Sequence, residues 1–220
     1  MAWNAKPTGA YARDSAEAIS NATEIKTYLL SEGWTLNAIC GMLGNNGYEG
    51  GYNPWRWQND IILDRYTAET YEGFDHGYGM YGWTPSNRYI NSVSATYPGY
   101  APNCSDTPGN ASDGQAQVYW VAHRPDQFFP ARYSPYQSWT DFNDYITSTY
   151  SAEFLAELWM YNWEKPAEQY AISTKAGRRA EGKYWWDYFQ GSPTPPDPPV
   201  PPPIIKPKKF KWWMYMPLPW

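Results

Sequence analysis

The residues best suited to chemistry lie in Gly47-Tyr48-Glu49-Gly50-Gly51-Tyr52-Asn53-Pro54-Trp55, directly after the apolar run Leu36-Asn37-Ala38-Ile39-Cys40-Gly41-Met42-Leu43. Leu36, Ile39, Cys40 and Leu43 recur at helical spacing, Thr35 is placed to cap the start and Gly47 to cap the end. The spacing therefore predicts a buried helix with Glu49 just past its C-terminus. A carboxylate there faces the negative end of the helix dipole, and Tyr48, Tyr52, Trp55 and Trp57 can strip its water; both effects favour the neutral acid. A glutamic acid that stays protonated near pH 7 is a proton donor. Cleavage of a glycosidic bond needs one such acid, its pKa lifted towards ~6 by an apolar setting, to protonate the leaving oxygen. A lone glutamate in a glycine-rich turn is more often simply exposed, so the weight of the reading falls on its neighbours.

A second carboxylate is sought between Trp57 and Asp75, where Asp60, Asp64 and Asp75 occur. Asp60 is favoured because it follows Trp57-Gln58-Asn59 directly. A separation of ~5–5.5 Å from Glu49 would mean retention and ~6.5–9.5 Å inversion. Glycines in Gly77-Tyr78-Gly79-Met80-Tyr81-Gly82-Trp83 let backbone approach a ligand closely. Tyr78, Tyr81, Trp83 and Trp57 are therefore expected to line a groove and stack on sugar rings. Asn53 is expected to hydrogen-bond near Glu49 and hold the turn.

These residues need helices to position them. Between Asp14 and Leu30, Ala18, Ile19, Ala22, Ile25, Tyr28 and Leu29 step by three and four, which predicts an amphipathic helix closed by Gly33. It should pack on the helix leading to Glu49. Trp57 to Asp75 reads as a short hairpin or irregular loop, and a helix opens near Thr84-Pro85-Ser86. Residues 98 to 114, rich in Pro, Gly, Asn, Ser and Asp, read as loop. Short helices are expected over Gln115 to Val121 and Phe142 to Ile146, then longer ones over Glu153 to Trp163 and Arg178 to Phe189. The fold class is mainly α, a single helical domain over 1–190 with a small hairpin or loop region beside a cleft. Residues 191–220 form a proline-rich linker and a basic aromatic tail, Ile204 to Trp220, expected to be extended.

Composition narrows the function. At 220 residues and 42% hydrophobic, the chain can bury one substantial core. Lys+Arg 17 against Asp+Glu 22 leaves a net charge of -5, which supplies no electrostatic footprint for nucleic acid. The 14 Trp and 21 Tyr suit stacking on sugars, although most will be core. The N-terminus lacks a secretory pattern, and no stretch approaches membrane-spanning length. Cys40 lies on an apolar helix face, so a buried free thiol is expected rather than a bridge to Cys104. No cofactor is expected. His76 and His123 are too few for a zinc site, and neither a phosphate loop nor Ser-His-Asp spacing occurs.

Taken together, Ala38 to Asn45, Glu49 with Asn53-Pro54, Trp57-Gln58-Asn59, Gly77 to Pro85, Trp163-Glu164-Lys165-Pro166, and Arg178 with Tyr184-Trp185-Trp186 closely resemble the phage tail lysozyme family. The nearest relatives by this resemblance are lysozyme domains of tail-tip (knob) proteins of small short-tailed phages of Gram-positive bacteria. The resemblance runs from about Glu24 to Phe189 and implies a lysozyme-like helical fold in the virion tail, acting on peptidoglycan glycan strands of the host wall. It places Glu49 at the catalytic acid, in a lysozyme or lytic transglycosylase, and makes Glu164 a structural partner for Arg178 or Arg179. Family members carry Glu-Ser where this chain has Glu49-Gly50, and Gln where it has Gly82. The 191–220 tail is then expected to anchor the protein to other tail proteins. Two rival classes remain: an inactive glycan-binding or structural tail protein, and a cysteine amidase using Cys40 with His76 or His123.

Overall fold

Ser15 starts the first helix by accepting a hydrogen bond from the Ala18 amide at 3.1 Å, and α1 (Ala16–Ser31) buries Ala18, Asn21, Ala22, Ile25 and Leu29 along one stripe. Gly33, at φ +85°, turns the chain after it. Thr35 caps α2 (Leu36–Glu49) through the Ala38 amide. Every residue from Asn37 to Asn46 is buried, so α2 is surrounded on all sides and forms the axis of the core. The computed structural model describes residues 3–6, 9–58, 72–73, 76–96, 111–130, 134–165 and 172–190.

The remaining described helices are α3 (Ser86–Thr96), α4 (Ala111–Ala122), α5 (Phe142–Ile146), α6 (Ala152–Trp159) and α7 (Ile172–Gln190), with a 3₁₀ turn at Pro125–Gln127. The chain is mainly helical, as expected. Packing is heaviest among α2, α6 and α7. An aromatic cluster seals the far side of α2: Trp34 meets Phe142 edge-on at 5.5 Å, and the Tyr145 hydroxyl donates to the Ala38 carbonyl at 3.0 Å. Such contacts contribute about 0.5–1.5 kcal/mol each beyond burial.

Three features differ from the expected elements. Gly47 does not end α2; the helix continues to Glu49, and Gly47 packs where a Cβ would stand 3.1 Å from the Tyr52 hydroxyl and 3.2 Å from Glu181 Oε1. Helix α4 starts at Ala111, inside the stretch read as loop, and α7 starts at Ile172, a turn and a half before Arg178. The segment expected as one helix to Trp163 widens after Trp159 into a π turn, Met160–Glu164, closed by the Lys165 amide on the Met160 carbonyl at 2.8 Å. Lys165 there adopts φ 50°. The widening stacks Trp163 on Trp159, with centroids 4.6 Å apart. π turns of this kind occur often at functional sites.

The expected hairpin between Trp57 and Asp75 falls mostly outside the described residues, as do Cys104, Pro166 and the 191–220 tail. What is described of that region are isolated antiparallel bridges, Trp57 to Tyr78 and Tyr78 to Trp83, which fold the 77–83 loop back on itself. Cys40 is free and buried. Among the described residues no helix is long and apolar enough to cross a membrane.

Candidate active site

Glu49 is the last residue of α2, and its position is fixed from both sides. On one side Arg178 of α7 donates Nη2 to Glu49 Oε1 at 2.7 Å and Nη1 to Asn45 Oδ1 at 2.7 Å. Asn45 lies one turn before Glu49 on the same helix, and its own amide nitrogen donates to the Ala156 carbonyl at 3.0 Å. The Tyr48 ring lies over the guanidinium at 5.1 Å. On the other side the 77–83 loop closes over the helix end. Gly50 permits this, since a Cβ there would stand 2.2 Å from the Gly79 carbonyl oxygen. Gly82, at φ +62°, lies against the carboxylate: a Cβ would come within 2.9 Å of Glu49 Oε2. One oxygen is thus tied to Arg178 and the other faces the loop. The Glu49 side chain keeps 22% of its surface, against 4% for Arg178.

A second carboxyl, on the π turn, feels the charges of Glu49 and Arg178. Glu164 accepts from Trp159 Nε1 at 3.1 Å. Burial pushes its carboxyl up to about 8, and the nearby Glu49 charge adds to this, while Arg178, the Trp159 N–H and Lys165 pull it down. Glu164 is therefore mostly a neutral acid at pH 7. Tyr81 faces it from the 77–83 loop: burial holds the phenol above its ordinary range, Asn46 works against that shift, and the Glu164 charge adds to it.

A groove of about 470 Å³ has Trp83, Tyr89, Trp120, Arg88, Arg124 and Gln127 in its walls. Trp83 directly follows Gly82. Trp120 meets Trp163, the residue before Glu164, edge-on at 6.0 Å, and Lys165 donates Nζ to the Gln127 carbonyl at 3.1 Å. On the opposite side of Glu49, half-exposed Tyr48 borders a smaller hollow of about 240 Å³ shared with Tyr11, Arg13 and Glu181. A partly exposed acid and an aromatic-walled groove are the two parts that glycan cleavage requires.

Of the site residues expected from the sequence, Glu49 lies against Gly82 and Trp83 lines the groove. Trp57, Tyr78 and Tyr81 do not line the groove: they are 0%, 2% and 2% exposed, because the two bridges fold the loop inwards and stack Trp57 against Tyr78, centroids 5.0 Å apart. Asn53 is also elsewhere. Its amide donates to the carbonyls of Lys6 and Gly9 at 2.8 and 2.9 Å, and its oxygen accepts from the Trp55 amide at 3.1 Å, so it pins the N-terminal arm and the turn instead of Glu49. Asp60, Asp64 and Asp75 lie outside the described residues. The expected pairing of Glu164 is corrected too: Arg178 bonds Glu49, and Arg179 bonds Glu157 at 3.2 Å. The Cys40 thiol is pushed up by burial, which leaves it a poor nucleophile and removes support from the amidase reading.

Comparison with known proteins supplies the family. Residues 20–189 match the family described as phage tail lysozyme. The chain belongs to that family. It is a protein of the phage tail, and the matched span takes in α2 to α6 whole, α1 and α7 except for their outer ends, and both carboxyls. A relative, Morphogenesis protein 1 of Bacillus phage B103, is 30% identical over 171 residues, which cover 78% of this chain and 40% of the relative. The tail lysozyme chain thus spans well under half the length of the curated relative it matches. Gly50 and Gly82 are the two glycines at which the 77–83 loop closes on Glu49.

Proposed function

We propose that the chain is a peptidoglycan glycosidase of the virion tail, with Glu49 as general acid. The observation that carries the reading is the split setting of that carboxyl: Oε1 is anchored by Arg178 at 2.7 Å, while Oε2 faces Gly82, the residue before Trp83 of the aromatic groove. A glycan strand laid along the groove presents its bridging oxygen to Oε2. Proton transfer to that oxygen accompanies breakage of the C–O bond, whose electron pair leaves with the oxygen. Water, or a hydroxyl of the same sugar, then attacks the positive carbon and gives up a proton. Trp83 and Trp120 offer the apolar faces on which sugar rings stack.

The test is digestion of purified Gram-positive peptidoglycan, with product ends identified by mass. Reducing N-acetylmuramic acid ends are the mark of hydrolysis, and anhydro ends are the mark of attack by the sugar's own hydroxyl. Binding to the wall without release of either product would make this an inactive glycan-gripping tail protein.

The proposal includes residues 191–220 as an anchor to other tail proteins, since a polyproline spacer costs little entropy to order and the tryptophans at 212, 213 and 220 suit partner pockets. Deletion after Gln190 is expected to leave soluble lytic activity intact and to abolish incorporation into particles. Lost activity with incorporation retained would make the tail part of the cleft.

A further inference from the structure

The smaller hollow beside Tyr48 is walled in part by a segment that the family match does not reach. That match begins at residue 20, yet Tyr11 and Arg13 of the N-terminal arm share a hollow of about 240 Å³ with Tyr48 and Glu181. The turn after α2 straps the arm in place. Asn53 accepts from the Lys6 amide at 3.3 Å and donates to the carbonyls of Lys6 and Gly9, and the Tyr11 amide donates to the Gly51 carbonyl at 2.9 Å. Gly51 permits the approach, since a Cβ there would collide with that of Ala10. Tyr52 follows at φ 57°, a left-handed backbone that a tyrosine adopts only where its surroundings impose it. What that conformation secures is the floor of the hollow: the Tyr52 hydroxyl donates to Glu181 Oε1 at 2.6 Å and accepts from Trp185 Nε1 at 2.6 Å. Glu181 Oε2 in turn accepts from Arg13 Nη1 at 3.0 Å.

Tyr48 ties the hollow to the acid. It directly precedes Glu49, and its ring lies 5.1 Å over the guanidinium of Arg178, whose Nη2 holds Glu49 Oε1 at 2.7 Å. Gly177 makes room for this placement, because any Cβ there would collide with the Tyr48 hydroxyl. A ring fixed against a cation and still 50% exposed has an apolar face left for a ligand. Arg13 keeps 48% of its side-chain surface while one nitrogen serves Glu181, so the rest of its planar fork of donors stands at the rim. Glu181 balances the charge of Arg13. The hollow therefore offers hydrogen-bond donors beside an aromatic face without net charge, a setting that favours a neutral ring carrying hydroxyl and amide groups over an anion. Its volume falls below the roughly 300–1,000 Å³ of sites that enclose a whole drug-sized ligand, and suits a single sugar residue.

We propose that the N-terminal arm completes a second sugar subsite, in which an uncharged N-acetylhexosamine residue of the strand stacks on Tyr48 and accepts hydrogen bonds from Arg13. The inference rests on the reading of Glu49 as the acid and adds where the strand continues past the broken bond. Trp83 stands on the Gly82 side of Glu49 and Tyr48 on the Arg178 side, so the scissile bond lies between the two.

The test uses Glu49→Gln, which removes cleavage and keeps the Arg178 contact, so that binding is read alone. In that protein a neutral tetramer of N-acetylglucosamine should bind by calorimetry, and the Tyr48 ring protons should show nuclear Overhauser contacts to sugar protons. Added Tyr48→Leu should weaken binding about fivefold to tenfold, whereas Tyr48→Phe, which keeps the ring, should stay within about twofold. Arg13→Lys, which keeps the charge beside Glu181 and loses the fork, should also weaken it. No binding of the tetramer, no Overhauser contact from Tyr48, or equal affinity in the leucine and phenylalanine variants overturns the proposal. Binding of a stem-bearing muropeptide through Arg13, with the tetramer ignored, overturns it in favour of an anion site. Should Tyr48→Leu not fold, the Overhauser contacts decide alone. If the wild type releases no product from peptidoglycan, the glycosidase reading falls, while tetramer binding still decides the hollow.

Discussion

Glu49→Gln is expected to lower glycan release about a hundredfold or more, with the folded state retained. Glutamine has nearly the same shape, and its amide oxygen can still accept from Arg178 at the position now occupied by Oε1, 2.7 Å away. What disappears is the titratable proton. The loss should appear in kcat, because proton donation matters only as the bond breaks, while binding along the Trp83 and Trp120 walls is untouched. The fold should survive because the amide oxygen keeps the Arg178 hydrogen bond and Asn45 holds the other guanidinium nitrogen. The check is the rate of muropeptide release together with the melting temperature. A variant that clears peptidoglycan like the wild type would remove Glu49 from the chemistry, whatever the state of Glu164.

The local signals in the sequence carried well where one element decides its own structure. Thr35 and the apolar steps of 36–43 foretell α2, and the spacing of Ala18, Ala22, Ile25 and Leu29 foretells α1. Gly47 misled because glycine is a strong local stop, whereas here its bareness serves a tertiary contact with Tyr52 and Glu181. The rings of 77–83 misled for a related reason. Glycines between aromatics read as an open, ligand-facing loop, but the bridges Trp57 to Tyr78 and Tyr78 to Trp83 turn the same pattern inwards. The place of Glu49 at the end of α2 was legible, and its partners were legible only as types. Glu164 and Arg178 both stand in recognisable motifs, yet charge complementarity alone cannot say which carboxylate an arginine will choose. Asn45 makes the choice, because it sits one helical turn before Glu49 and takes the second nitrogen of the same guanidinium. Glu164 stands where it does only because a π turn redirects the chain after Trp159, and nothing in the apolar spacing of 154–163 announces that widening.

Arg178→Met is expected to destabilise the protein by about 3–5 kcal/mol at neutral pH, because it removes one partner of a largely buried ion pair and keeps the bulk. For a domain of this size that corresponds to a fall in melting temperature of roughly 10 °C. The guanidinium side chain is 4% exposed and satisfies Asn45 Oδ1 as well as Glu49, so methionine leaves a buried amide oxygen and a carboxylate without their donors. The loss should depend on pH, and its sign follows from the charges. With the guanidinium gone, the Glu49 charge acts on the Glu164 carboxyl without the opposing pull of Arg178, and a proton on Glu164 relieves the fold. Denaturant unfolding should therefore show a larger difference from wild type at pH 8 than at pH 5. Arg178→Lys separates charge from geometry: an ammonium can neutralise one carboxylate but cannot span Glu49 and Asn45 together, so it should recover part of the stability and most of the pH dependence. Equal losses for the methionine variant at both pH values would mean that Arg178 holds α7 on α2 through packing, and that Glu49 and Glu164 titrate independently of it.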